Sequence, residues 1–362
     1  MRMGGSISRP SQISHKKMMA QVSSPQPPIW PKPLPAGGTI GVFAPSWAPE
    51  ADRLAAGVKR LSAMGYRLVL HPQTQLQQET AAGVMGGDPA VRAAAFCDLV
   101  NDPAIDAILG ARGGYGCGQW VGLLGAADWA AVRAAAKPLA GFSDVTVLLN
   151  AQAVSAGLIG WHAPLLSTLA TLDPQLLASQ PDLSPRLDAA SDQAWPLALS
   201  GRSSALQWDV APFAPLLSDA LQGRLVGGNL CLLQQMIATP LDPLAAFGDD
   251  PLVLALEDFD EEPYRLDRSL HHLHASGRLQ RVVAVLLGSM IDRQGHDWAS
   301  VAQGVLQQLL PNLPVVMGLP VGHGLANQPL PIGAWAKLGR QIFKDPGGQW
   351  QLSWNQGHTD GK

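Results

Sequence analysis

The sequence predicts an α/β protein, with a parallel sheet covered by helices on both faces in its first half and a second α/β unit after a break. Three observations carry this. Short apolar or β-branched runs alternate with segments of helical period. Several of those runs end directly in glycine-rich or Ser/Asp turns, as strands do in βαβ units. The chain is also 47% hydrophobic and only 15% charged, against a usual charged share of about 25%, so it can fill a sizeable core. At roughly 150 residues per domain, 362 residues make about two domains.

In chain order, Thr39 to Ala44 reads as the first strand, stopped by Pro45-Ser46. Leu54, Val58 and Leu61 fall on one helical face, and Gly65 stands where a helix C-cap belongs. Arg67 to His71 is the next strand. Asp88 caps a helix that opens with Pro89 and runs to about Asn101. Ala107 to Leu109 is a strand that leads into Arg112-Gly113-Gly114-Tyr115-Gly116. Asp128 caps a helix through Ala136. Leu139-Ala140 is a brief strand, followed by Gly141-Phe142-Ser143-Asp144 and a helix from Val145 to about Ser155. Leu158 to Trp161 closes this half.

From about Ser167 to Ser218 no clean period survives, and the segment reads as a connection with short helices. Order returns with a strand and glycine turn at Gly223 to Asn229, opening a helix to about Ala238. Pro251 to Leu256 is a buried strand ending in Glu257. Arg265 to Ala275 is helix, Arg281 to Leu287 strand, Trp298 to Leu309 helix and Pro314 to Met317 strand. Pro331 to Leu338 and Gln349 to Trp354 form a closing strand pair. The expected organisation is an unstructured extension over 1–35, an N-terminal α/β domain over 36–170, a connection over 171–218 and a C-terminal α/β domain over 219–355.

Composition excludes several classes of partner. A net charge of −3 offers no basic excess for a phosphate backbone, so nucleic acid is not expected. Three cysteines, an odd count, make no disulfide framework and suit a reducing compartment. Lys16-Lys17-Met18-Met19 resembles the start of a signal peptide, but no apolar run follows it, and no apolar span of about 18 residues occurs anywhere. A cytoplasmic protein without a membrane segment is expected.

Chemistry concentrates at three strand ends, where open parallel sheets bind ligands. Ser143 sits between a short strand and a helix. A tight turn there exposes the hydroxyl and places the Asp144 N–H at the helix start, where it can serve as an oxyanion donor. The pattern approaches G-x-S-x-G, with Val145 in place of the second glycine; a plain N-cap accounts for Ser143 equally well. Glu257 ends an apolar strand, and His323 lies in Gly318-Leu319-Pro320-Val321-Gly322-His323-Gly324. A serine needs a base to take its proton, an imidazole supplies one near neutral pH, and a carboxylate behind the imidazole fixes its tautomer. The competing readings are a surface histidine and a solvated glutamate.

Other features have blander explanations. The Arg112 to Gly118 loop lacks the spacing of a dinucleotide or P-loop fingerprint. His271, His272 and His274 lack the spacing of a helical zinc pair. Asp258, Asp260 and Glu261 read as a solvated rim, and Cys117 as a small space-filler. His162 lines a cleft or makes a structural hydrogen bond, and Asn229 is first an N-cap.

These blocks together resemble the LD-carboxypeptidases, serine peptidases that include murein tetrapeptide carboxypeptidases and microcin C immunity peptidases. The resemblance runs from about Gly38 to Gly339. It covers Gly41 to Ser46, the D-P-x-V-R stretch from Asp88, Ile108 to Gly116, Gly141 to Asp144, Gly227 to Leu230, Leu256-Glu257-Asp258, Pro263 to Arg268 and Pro320 to Gly324. It implies a Rossmann-like N-terminal domain and a smaller α/β C-terminal domain with the site between them. It further implies Ser143 as nucleophile, His323 as base, Glu257 as its orienter, and the main-chain N–H groups of Asp144 and Gly114 as oxyanion hole. By motif, Arg112 is the nearest cation for a substrate carboxylate, although a structural ion pair explains it equally well, and the resemblance suggests a substrate contact for Asn229. No metal or cofactor is implied, and a homodimer is. The implied substrate is a murein tetrapeptide that loses its terminal D-alanine. The alternatives are a microcin-like peptidyl nucleotide or a peptide-binding protein without turnover. Ala163 after His162, the N-terminal extension and the tryptophan content depart from the family pattern.

Overall fold

The computed structural model describes residues 27–170, 187–209, 220–342 and 348–355. The N-terminal sheet begins with β1 (Thr39–Phe43), whose five residues are all buried. Helix α1 (Ala51–Ala63) follows and buries Leu54 and Leu61, two of the three positions on the expected face. Gly65, at φ 92°, turns the chain into β2 (Arg67–Leu70). A small hairpin not foreseen from the sequence, β3 (Gln78–Thr80) and β4 (Gly83–Met85), precedes α2 (Pro89–Asn101). Asp88 caps α2 by accepting from Val91 N at 2.9 Å. Strand β5 (Ala107–Gly110) leads to α3 (Ala126–Ala135). Gly125 is the N-cap of α3, and Asp128 is its third residue, reaching back to accept from Gly125 N at 2.8 Å. The sequence placed Asp128 at the cap because its carboxylate is the polar group that satisfies that helix end.

Then come β6 (Leu139–Gly141), α4 (Thr146–Ser155), β7 (Gly160–His162) and the short α5 (Leu166–Leu169). Strand β7 starts later than the predicted Leu158, so His162 stands at its carboxyl end.

Part of the expected connection is regular structure. Helix α6 (Ala189–Leu199) contains Pro196, and β8 (Ala205–Asp209) buries only Leu206 and Trp208. With one face exposed and polar flanks, β8 left too short a signal to read. The rest of the connection, 171–186 and 210–218, lies outside the described residues, as does residue 219.

The C-terminal unit runs β9 (Leu221–Asn229), α7 (Leu230–Met236), α8 (Pro243–Ala246), β10 (Leu252–Phe259), α9 (Pro263–Ala275), β11 (Val282–Ile291), α10 (Ala299–Leu309), β12 (Val315–Met317), β13 (Leu330–Ile332), β14 (Trp335–Ile342) and β15 (Gly348–Trp354). Glu257 therefore lies inside β10 and not past its end, and Asp258 is buried rather than a solvated rim residue.

Two sheets result. The first has the order β13-β7-β6-β5-β1-β2 and is parallel except for β13, which runs antiparallel to β7. The second has the order β12-β11-β10-β9-β14-β15-β8, parallel from β12 to β9 and antiparallel beyond. The predicted closing strand over 331–338 is thus two strands in different sheets, which ties the C-terminal half to the N-terminal sheet.

Residues 27–35, expected to belong to an unstructured extension, lie against the body. Ile29 donates to Gly157 O at 2.8 Å, Leu34 donates to Leu199 O at 2.8 Å, and Leu34 is buried. The Trp30 and Trp161 rings are 6.0 Å apart. These apolar contacts outweigh the proline content that made the segment read as a tail. Residues 1–26 lie outside the described residues. Among the described residues no helix is long and apolar enough to cross a membrane.

Candidate active site

The carboxyl ends of the parallel strands of both sheets converge on one cleft. From the first sheet, β1 supplies Ser46, β5 the Arg112–Gly116 loop, β6 Ser143 and β7 His162. From the second, β9 supplies Asn229, β10 Glu257 and Asp258, β11 Ser289, and the chain after β12 His323.

Ser143 sits on a strand-to-helix turn with φ 60°, a left-handed conformation that side-chain-bearing residues rarely hold. The conformation lifts the hydroxyl off the end of β6, as a nucleophile elbow does. The glycine loop comes up beside it: a Cβ placed on Gly113 would lie 3.2 Å from Ser143 Oγ. Gly114 has φ 119°, and a Cβ there would meet the Trp47 ring at 2.6 Å, so only glycine permits this path. The N–H groups of Gly114 and Asp144 donate to no backbone acceptor among the described residues.

The Asp144 side chain fastens this loop to the elbow. It is buried and accepts from Ser46 Oγ at 2.5 Å and from Cys117 N at 2.7 Å. Burial pushes its carboxyl pKa up, against the pull of the Ser46 and Cys117 hydrogen bonds and the Arg92 charge. Arg92, fully buried, donates to Pro45 O at 3.1 Å, to Gly116 O at 2.8 Å and to Gln119 Oε1 at 2.7 Å. The sequence reading gave Asp144 only its main-chain role and left Arg92 without one. The signal for both was present, since each lies in a motif block that carried the resemblance. Asp144→Ala would strand the Ser46 hydroxyl and the Cys117 amide in the interior. Each buried unsatisfied group costs about 1–3 kcal/mol, so we expect chemical denaturation to show a loss of about 2–4 kcal/mol, with Asp144→Asn, which keeps an acceptor, losing less. Wild-type stability in Asp144→Ala would show that the carboxylate does not hold the loop.

Glu257 is buried and His323 partly exposed. His323 Nδ1 lies 2.7 Å from Glu257 Oε2, across 66 positions of sequence. This contact leaves Nε2 as the ring nitrogen available to a substrate or a hydroxyl. Among the described residues no hydrogen bond joins Ser143 Oγ to the imidazole; such contacts often tighten only when substrate is bound. Phe142 and Phe259 hold the ring between them, each with its centroid 4.8 Å from that of His323. The loop is held from below, with Gly324 N donating to Ser289 Oγ at 3.0 Å and Asn327 N donating to Ser191 Oγ of α6 at 2.8 Å. The connection segment thus supports the histidine.

Two adjacent carboxyls have opposite electrostatics. Burial works to raise Glu257, but the charge of His323, then the polar contacts with His162 and His323, bring it down to about 2. Burial and the Glu257 charge push Asp258 up to about 7, although it accepts from Phe259 N, Asn229 Nδ2 and Cys231 N. Ionisation of Glu257 therefore favours the folded state above the ordinary carboxyl range, a contribution lost as pH falls towards about 2. Asp258 binds its proton more tightly when folded, so its contribution declines as pH rises towards about 7.

The remaining candidates are engaged elsewhere. Arg112 Nη1 lies 2.6 Å from Glu50 Oε1 and 3.2 Å from Ala48 O, and its guanidinium sits 5.4 Å from the Trp47 ring centroid. Asn229 is buried; its Oδ1 accepts from Leu232 N at 3.1 Å and its Nδ2 donates to Asp258 Oδ1 at 2.9 Å. Cys117 is buried, and burial pushes its thiol well up, which leaves no thiolate to compete with Ser143. Among the described residues no cluster of His, Cys, Asp and Glu is placed to hold a metal ion.

Sequence comparison agrees with this architecture. Residues 40–163 match the LD-carboxypeptidase N-terminal domain and residues 222–338 its C-terminal domain. The murein tetrapeptide carboxypeptidase of Pseudomonas aeruginosa is 32% identical over 314 residues, covering 84% of this chain and 94% of the relative. The microcin C7 self-immunity protein MccF of Escherichia coli is 26% identical over 327 residues, covering 84% and 92%. The crystal structure of muramoyltetrapeptide carboxypeptidase from Oxalobacter formigenes superposes with a TM-score of 0.68 at 24% identity, covering 87% of this chain and 98% of that one. With both domains matched in order and two convergent sheets around the same cleft, the chain belongs to the LD-carboxypeptidase family.

Proposed function

We propose that the protein is a serine carboxypeptidase that removes the terminal D-alanine from a murein tetrapeptide. The observation that carries this reading is the contact of the buried Glu257 carboxylate with His323 at 2.7 Å, in the same cleft as a serine held at positive φ. Ser143 Oγ attacks the carbonyl before the D-alanine and gives its proton to His323 Nε2. Glu257 holds Nδ1–H and balances the imidazolium. The negative oxygen of the tetrahedral intermediate takes the N–H groups of Asp144 and Gly114. His323 then protonates the departing amine as the C–N bond breaks, leaving the peptide as an ester on Ser143; water gives a proton to His323 and attacks this ester, and Ser143 leaves with that proton as the shortened peptide is released. Neither metal nor cofactor enters this scheme. A cytoplasmic homodimer in murein recycling is the setting that the reading implies.

An exopeptidase must recognise a free terminal carboxylate, which cations or main-chain N–H groups provide. Arg112 takes this role only if substrate draws it from Glu50. Incubation of the protein with murein tetrapeptide, with the products weighed, is expected to give tripeptide plus D-alanine, and the C-terminal amide is expected to stay intact. Equal cleavage of acid and amide would overturn the carboxypeptidase reading. An intact tetrapeptide beside a cleaved peptidyl nucleotide would move the substrate to the microcin class.

A further inference from the structure

Among the described residues the Glu257 carboxylate makes one hydrogen bond, to His323, through Oε2. Its other oxygen, Oε1, is buried and has no hydrogen-bond partner. Facing it is His162 Nε2, at 3.7 Å, longer than a hydrogen bond. His162 is itself fully buried, and among the described residues neither of its ring nitrogens has a hydrogen-bond partner. Two unsatisfied polar atoms therefore face each other behind the catalytic pair. An ionised carboxylate can accept at both oxygens, while a neutral imidazole carries one donor that either nitrogen can bear.

The fold gives His162 no other polar task. It ends β7, in register with Gly141 of β6 and Leu330 of β13. Its ring packs edge-on against Phe142 at 5.8 Å, the same ring that touches His323. On the other side the chain comes close at Gly228, where a Cβ would lie 3.2 Å from His162 Cδ2. The ring is thus wedged against Glu257 and shielded from water.

We propose that His162 is a positioning residue, which donates from Nε2 to the Glu257 oxygen that His323 leaves free and so keeps the carboxylate aimed at the His323 imidazole. The inference rests on the serine mechanism proposed above. His162 touches no substrate and acts only through Glu257. A shift of a few tenths of an ångström at this 3.7 Å contact completes the bond. The titratable groups around Glu257 are His323 from the loop after β12, His162 from β7 and Asp258 beside it in β10. The Asp258 carboxylate is turned to the Asn229 side chain and the Cys231 amide.

The test reads covalent labelling of Ser143 by a fluorophosphonate, which requires the serine and its base but not the murein substrate. His162→Phe, which fills the space without a donor, is expected to label about ten- to a hundredfold more slowly, the range for losing a hydrogen bond to a charged group. His162→Gln can place an amide N–H near the Nε2 position and should recover most of the rate. His162→Asn is too short and should not, which keeps the comparison informative if the phenylalanine variant fails to fold. In a Glu257→Gln background the His162→Phe penalty should vanish, because the two act in series. A penalty that persists in that background, or a His162→Phe rate equal to wild type, would overturn the role of His162 while leaving the serine mechanism standing. An unlabelled wild-type Ser143 would overturn both.

Discussion

Ser143→Ala is expected to abolish turnover of the tetrapeptide, by a factor on the order of 10⁶ in kcat, while the fold is kept. The size of the effect follows from the division of labour in the cleft. The oxyanion N–H groups and the glycine loop survive the substitution and bind the carbonyl as before, but no atom remains to attack it. The residual rate is that of water in an organised site. Stability should change little or improve, because an alanine at φ 60° is no more strained than the serine and Ser143 makes no hydrogen bond that buries a partner. The measurement is kcat by product mass, with thermal unfolding in parallel. Activity above a small fraction of wild type would remove the serine from the mechanism.

Glu257→Gln is expected to lower kcat by about two to four orders of magnitude. The amide fills the same space, yet it faces His323 Nδ1 with no charge and can present N–H where an acceptor is needed. The imidazolium formed during attack then has no counter-charge, and the unproductive tautomer is favoured. The wild-type carboxylate, brought down to about 2, stays ionised throughout the range in which an imidazole titrates. Ionisation of Glu257 should therefore leave no step in the wild-type pH–rate profile above the ordinary carboxyl range. A near-normal rate in Glu257→Gln would contradict the pairing.

Much of the candidate site was readable in the sequence because its residues lie in local patterns. Ser143 lies between a strand and a helix, and His323 lies between glycines; neither signal needs knowledge of the fold. Val145 stands where an elbow usually has glycine, and the structure shows how the turn tolerates it: a Cβ on Gly141 would lie 2.7 Å from Val145 Cγ1, so the first glycine makes room for the valine. The contacts that only folding creates were not legible. The Asp144 carboxylate meets Ser46 across 98 positions and Cys117 across 27, and no spacing rule links such distances. Asp258 read as a solvated rim residue because its neighbours in sequence are acidic, but β10 continues through it and buries it. Strand β13 read as one piece with the start of β14 because 331–338 is apolar apart from Gly333 and Lys337; the change of sheet lies in Gly333, at φ 92°, and Ala334. Residues 27–35 read as a tail from their prolines, while Trp30 and Leu34 carry the apolar area that holds them down.

The most direct test of the central claim is to identify the residue that becomes covalently modified. The protein is treated with a fluorophosphonate and digested, and the adduct is located by peptide mass. The account predicts a single adduct on Ser143, with labelling slowed when His323 is replaced by alanine. An adduct on Cys117, or no adduct under conditions in which the tetrapeptide is cleaved, would contradict it.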